Sequence, residues 1–128
     1  MSEVTIFDLL KNVSANIPGC LMTSIVDSES GVSLASVGSR DVLTEQADAY
    51  HAEMYRLISK SMHMLDAEQP IEGTVLVGDQ AIFVSLPFSN STYFWQVVTG
   101  LDTTVGFTQA LMRKYQGEIA SSISHLLT

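Results

Sequence analysis

A four-residue break, Ile17-Pro18-Gly19-Cys20, separates an amphipathic opening segment from a run of apolar and β-branched residues. Proline lacks the N–H that a further helical turn would use, and its ring clashes with the turn before it, so the helical period stops at this point. Residues 21–27 then read as a strand, Ser28-Glu29-Ser30-Gly31 turns the chain, and residues 32–37 return beside it. Gly31 can take the positive φ that a short bulged hairpin requires. A long helical stretch over residues 42–65 follows, and Pro70 in the loop Asp66-Ala67-Glu68-Gln69-Pro70 prevents it from continuing.

The strand period then returns in residues 73–77, 81–86 and 93–99. Gly78-Asp79-Gln80 joins the first two as a tight hairpin, and Pro87-Phe88-Ser89-Asn90-Ser91 turns the chain before the third. Asp102-Thr103-Thr104 offers three capping side chains ahead of a last helix, along which Leu111, Met112, Tyr115, Ile119, Ile123 and Leu126 recur at helical spacing. At the other end, Thr5 and Asp8 form a capping-box pair before a stripe of Ile6, Leu10, Val13 and Ile17. The element order is αββαβββα. It implies a three-layer α-β-α sandwich, with a five-stranded antiparallel sheet between the first and last helices on one face and the long helix on the other.

A chain of 128 residues fits one domain spanning 1–128, since folding at this size buries about two-thirds of the unfolded surface without a disulfide or metal. No repeat, low-complexity segment or linker divides it. Fourteen acidic residues against six basic ones repel a phosphate backbone, and Lys11, Arg40, Arg56, Lys60, Arg113 and Lys114 form no stripe, which argues against nucleic acid. The single cysteine, Cys20, beside Leu21 and Met22, reads as a small core residue. Met-Ser-Glu-Val-Thr at the start has neither a basic nor an apolar leader region, so the expected location is cytoplasmic, and the sequons at Asn12 and Asn90 are chance matches. Residues 80–101 carry no charge and are long enough to span a bilayer, but Pro87, Ser89, Asn90, Ser91, Thr92 and Gln96 interrupt them, so no membrane span is expected.

Catalytic signatures are missing. Gly73-Thr74-Val75-Leu76-Val77-Gly78 has the glycine spacing of a phosphate-binding loop, yet Asp79-Gln80 stands where Lys and Ser or Thr must hold phosphate and Mg²⁺. Ser33 lacks the glycines of a nucleophile elbow. His51 and His63, twelve residues apart on one helix, are turned about 120° from each other and cannot chelate one ion. With His125, they read as ordinary surface or interface histidines. The run Tyr93-Phe94-Trp95 reads as core rather than a ligand platform, with Tyr93 and Trp95 facing one layer and Phe94 the other. No catalytic, cofactor-binding or metal-ligating residues are expected.

The long helix carries more apolar surface than one sheet needs. Leu43, Ala47, Tyr50, Met54, Leu57, Ile58 and Leu65 fall in one arc, the expected core face, while His51, Tyr55 and Met62 lie to one side and Met64 to the other. Core filling is the usual role of Met54 and Met64; Met62, off the stripe, is equally suited to recognition. Asp41, Glu45 and Asp48 gather at the end where the helix dipole favours negative charge. A long connection could cover the surplus, or single apolar residues could stand exposed. The strand Thr74-Val75-Leu76-Val77 points instead to a second protein surface, because at a sheet edge it has no lysine, internal proline or inward charge to block pairing.

Gly19, Asp27, Gly31, Leu34, Ala35 and Ser36 complete a pattern: helix, Ile-Pro-Gly break, strand ending in Asp, Gly-containing turn, second strand of small residues. In this the chain resembles the roadblock / dynein light chain domain family across nearly its whole length. The resemblance implies profilin-like roadblock architecture and a non-enzymatic homodimeric adaptor or scaffold without a cofactor, partnered by a Ras-like small GTPase or another protein. It implies that the third strand and long helix form the homodimer, here through Tyr55, Met62, Thr74, Val75, Leu76 and Val77, and that Tyr55, Arg56, Lys60 and Met62 meet the partner. The aromatic run Tyr93-Phe94-Trp95 and the long polar start of the second helix depart from commoner bacterial members and bear on which partner is bound. The alternative is a small-molecule sensor of profilin-, PAS- or GAF-like architecture.

Overall fold

The computed structural model describes residues 5–38, 44–65, 72–89 and 91–127. Asp41, Val42 and Leu43 at the expected start of the long helix, the connection 66–70 and Asn90 lie outside them. Helix α1 (Ile6–Asn16) opens with the expected capping box: the Thr5 hydroxyl accepts from the Asp8 N–H at 3.1 Å, and the Asp8 carboxylate accepts from the Thr5 N–H at 3.2 Å. The donation from the Thr5 N–H is the main cause that holds the Asp8 carboxyl below its usual range. The helix stops at Pro18-Gly19, where Gly19 takes φ +76 and the Thr103 hydroxyl, from far along the chain, donates to the Pro18 carbonyl.

Strands β1 (Cys20–Asp27), β2 (Ser33–Gly38), β3 (Thr74–Val77), β4 (Ile82–Pro87) and β5 (Tyr93–Thr99) form one antiparallel sheet in the order β2-β1-β5-β4-β3, with α2 (Thr44–Met64) and α3 (Val105–Leu127) completing the chain. The β1–β2 hairpin has its irregularity between Ile25 and Val26 and its positive-φ Gly31, and Arg56 of α2 donates to the loop carbonyls of Ser28 and Glu29, the latter at 3.2 Å. Of the three candidates before α3 it is Thr104 whose hydroxyl caps, accepting from the Phe107 N–H at 3.2 Å.

Register places Ile25 and Leu86 beside Trp95, and Val84 beside Val97, so one sheet face is a continuous apolar surface. Leu10 and Val13 of α1 and Met112, Ile119 and Ile123 of α3 close over it. Each such buried side chain contributes about 1.5–3 kcal/mol. Trp95 satisfies its ring N–H by donating to the Thr23 hydroxyl at 2.7 Å, and Thr23 in turn donates to the Gln96 carbonyl at 3.0 Å. Phe94 points the other way into a smaller cluster with Val26, Ala52 and Tyr55, as alternation along β5 requires. Cys20 is half-buried against the main core, and desolvation pushes its thiol up, away from a reactive thiolate. Leu126, read as the end of the α3 stripe, is exposed. Among the described residues no helix is long and apolar enough to cross a membrane.

Candidate interaction surface

Helix α2 is rotated from the orientation its apolar residues suggest. The face against the sheet carries Asp48, His51 and Ala52, all buried, and half-buried Tyr55. Tyr50, Leu57 and Leu65, expected in the core, are exposed, Tyr50 by 72%. The cause is the sheet: beneath α2, β1, β2, β4 and β5 present Ser24, Ser36, Ser85 and Gln96, a polar floor that a wholly apolar helix face could not satisfy. The Gln96 side-chain N–H donates to the Asp48 carboxylate, Ser24 and Ser36 share a hydroxyl hydrogen bond of 2.7 Å, and Thr74 and Ser85 share another. Burial pushes the Asp48 carboxyl up, against the opposing pull of Ser24, Gln96 and Ser36.

His51 is likewise no surface residue. It is 3% exposed, with its ring between Phe83 and Phe94 at centroid distances of 5.5 and 5.3 Å. Periodicity could not reveal this polar layer, because a reading that assigns apolar residues inward assigns Asp48 and His51 outward. The available signal was their spacing: Asp48, His51, Ala52 and Tyr55 stand at i, i+3, i+4 and i+7.

The rotation turns apolar residues toward solvent. Tyr50, Leu57 and Met64 recur every seventh residue, which holds them within about 20° per repeat of one line along α2. The helix packs chiefly over β1 and β2, leaving a groove of about 330 Å³ between it and the far side of the sheet, lined by Ala47, Tyr50, His51, Met54, Leu76 and Phe83. Strand β3 forms the groove's outer wall and is the sheet edge. Its Val75, Leu76 and Val77 are exposed, Val77 by 70%. The Gly78 N–H donates to the Ala81 carbonyl at 2.8 Å, which makes those opposed residues a hydrogen-bonded pair. Pairing in an antiparallel ladder alternates, so Leu76 and Thr74 bond to β4 while the backbone N–H and C=O of Val75 and Val77 point outward.

The structure thus brings part of the expected site together. Thr74, Val75, Leu76 and Val77 line one edge and Met62 is partly exposed near the end of α2. Tyr55 is turned inward, stacked on Phe94, and Arg56 is engaged by the β1–β2 loop, so neither is presented as an exposed contact; Lys60 stands exposed. Of the residues that periodicity assigned to the core, Tyr50 stands exposed at the groove that Leu76 also lines, and Leu57 is exposed one repeat further along α2.

No family model matches the sequence, and no curated protein does. Solved structures do. A roadblock/LC7 domain from Streptomyces avermitilis superposes with a TM-score of 0.79 at 13% identity, over 97% of this chain and 99% of that one. MglB of Myxococcus xanthus gives 0.75 at 13%, over 95% and 94%. An MglB with tetrameric arrangement gives 0.80 at 11%, over 94% and 88%. At such identities the likeness establishes the fold, and the fold is that of a roadblock domain.

Proposed function

We propose that this roadblock-fold chain is a homodimeric adaptor that pairs through β3 and the outer stripe of α2, and whose dimer presents a surface to a Ras-like small GTPase. One observation carries the reading: an edge strand with two outward-facing backbone pairs and three exposed apolar side chains runs beside an exposed apolar helix stripe, with a groove between them. Such an edge invites strand addition, and an antiparallel pairing of β3 with its own copy is isologous, so one surface serves both subunits. A tetrameric arrangement in one solved MglB supports self-association on this fold. The GTPase partner rests on the family resemblance. A small apolar groove would serve a sensor as well, and the almost wholly apolar lining of the groove, beside an open strand edge, favours a protein occupant over a metabolite.

Light scattering tests the pairing: a two-chain mass is expected at micromolar concentration, and a one-chain mass overturns it. For the partner, GTPases from the host are captured on immobilised dimer in the presence of GTP or GDP. Retention that depends on the nucleotide supports the adaptor. A small metabolite retained in native mass spectrometry, with no protein captured, supports the sensor.

A further inference from the structure

Among the described residues four buried side-chain atoms in the polar layer under α2 make no hydrogen bond of full geometry, and all belong to three residues that meet there: the second carboxylate oxygen of Asp48, both ring nitrogens of His51 and the amide oxygen of Gln96. The committed bond among them runs from the Gln96 amide N–H to Asp48. His51 is thus enclosed by Phe83 of β4 and Phe94 of β5, neither ring nitrogen is within full hydrogen-bond geometry of a described residue, and the Gln96 side chain is the polar group that acts on the ring. Buried imidazoles normally bond through at least one nitrogen, so a ring held chiefly by two aromatic faces is stabilised there by apolar contact, which suits its neutral form.

We infer that the docking of α2 on the sheet is a proton-sensitive latch, closed while His51 is neutral and released when the ring takes up a proton. The physical cause is hydration. A neutral imidazole in an aromatic slot loses two hydrogen bonds to water, whereas an imidazolium there loses the solvation of a full charge and gains little in return. The groups that face the ring come from the helix itself and from three strands. From α2 itself come Asp48, one turn earlier, with Tyr50 and Tyr55; from β5, Phe94 and Gln96; from β4, Phe83; from β3, Leu76 across the groove. Among these described residues Asp48 alone supplies negative charge, and its first oxygen is already held by Gln96.

Burial pushes the His51 ring down from the usual histidine value of 6.5, against the opposing pull of the Gln96 side chain. A group lowered in this way lends stability that is complete above its free value and is lost as pH falls below it, so the latch weakens on acidification from about pH 6.5. Since α2 carries the exposed stripe of Tyr50 and Leu57, its release alters that surface whether or not the surface pairs with a second copy.

Amide hydrogen exchange, expressed as protection factors from pH 8 to pH 5, tests the latch. In the wild type, protection across α2 is expected to fall by up to about tenfold per pH unit below pH 6.5 while amides of β1 and β5 keep theirs. His51→Leu is expected to flatten that response, and Asp48→Asn, which leaves the imidazole in place, is expected to retain it. Light scattering at each pH separates loss of pairing from loosening of the helix. Equal pH dependence in wild type and His51→Leu overturns the latch, as does loss of the acid response in Asp48→Asn, since the imidazole is still present there and a carboxyl raised by burial stabilises the fold as it takes up a proton. Should His51→Leu not fold, NMR of the His51 ring carbons in the wild type decides: ring protonation that coincides with loss of α2 protection supports the latch, and protonation with α2 still protected overturns it.

Discussion

The ring of Tyr55 lies flat on that of Phe94, with centroids 4.6 Å apart and planes 5° from parallel. Such a stack, in a site closed further by Val26 and Ala52, makes Tyr55 part of what holds α2 to the sheet. Tyr55→Ala is therefore expected to destabilise the fold by about 2 kcal/mol or more, and Tyr55→Phe by no more than about 0.5 kcal/mol. Urea unfolding of both variants checks this. An alanine variant as stable as wild type shows that the stack carries no weight.

Gly19 takes φ +76 where α1 hands over to β1, and a Cβ there would stand 3.0 Å from the Thr103 hydroxyl oxygen. That hydroxyl is committed to the Pro18 carbonyl, so it cannot simply move aside. Gly19→Ala is expected to cost about 1–2 kcal/mol from the left-handed backbone, with the contact adding to it. The Tm should drop while the far-UV circular dichroism of the folded protein stays unchanged.

Asp48 has its carboxyl raised by burial, and the sign of the consequence is definite. A raised acid favours the folded state while protonated, and that contribution is lost as pH rises through its folded value. Asp48→Asn keeps an oxygen to accept from Gln96 and carries no charge at any pH. The Tm of the variant relative to wild type is therefore expected to climb from pH 4 to pH 8; a difference independent of pH refutes the assignment.

The fold was legible because its punctuation is local. Pro18-Gly19 ends a helix, Gly31 and Gly78 mark hairpins, and Thr5 with Asp8 opens α1, each acting within a few residues of its own position. The apolar stripe of α3 lay mostly where its spacing put it, because the sheet face beneath it is itself apolar. Helix α2 was legible in extent but not in rotation. Its orientation is set by Ser24, Ser36, Ser85 and Gln96, residues on four other strands that become one polar floor only after the sheet forms. The open edge at β3 could be read from Thr74-Val75-Leu76-Val77, whereas the partnership of Asp48 with Gln96, 48 residues apart, could not.

The outward alternation along β3 separates a broken pairing from a broken strand. Val75 directs its N–H away from β4, so Val75→Pro removes a donor from the free edge and leaves the β3–β4 ladder intact, a position where a strand tolerates proline. Leu76 bonds to β4 opposite Phe83, so Leu76→Pro removes a bond within the sheet itself. Both side chains are only partly exposed, at 40% and 38%, so loss of apolar contact alone does not distinguish the two variants. Val75→Pro is expected to leave the unfolding free energy of a dilute, single-chain sample within about 1 kcal/mol of wild type while weakening self-association at least tenfold, and Leu76→Pro to lower stability by about 3 kcal/mol. Sedimentation velocity over a concentration series, read beside thermal melts, tests both. An undiminished dimer in well-folded Val75→Pro moves the interface away from this edge.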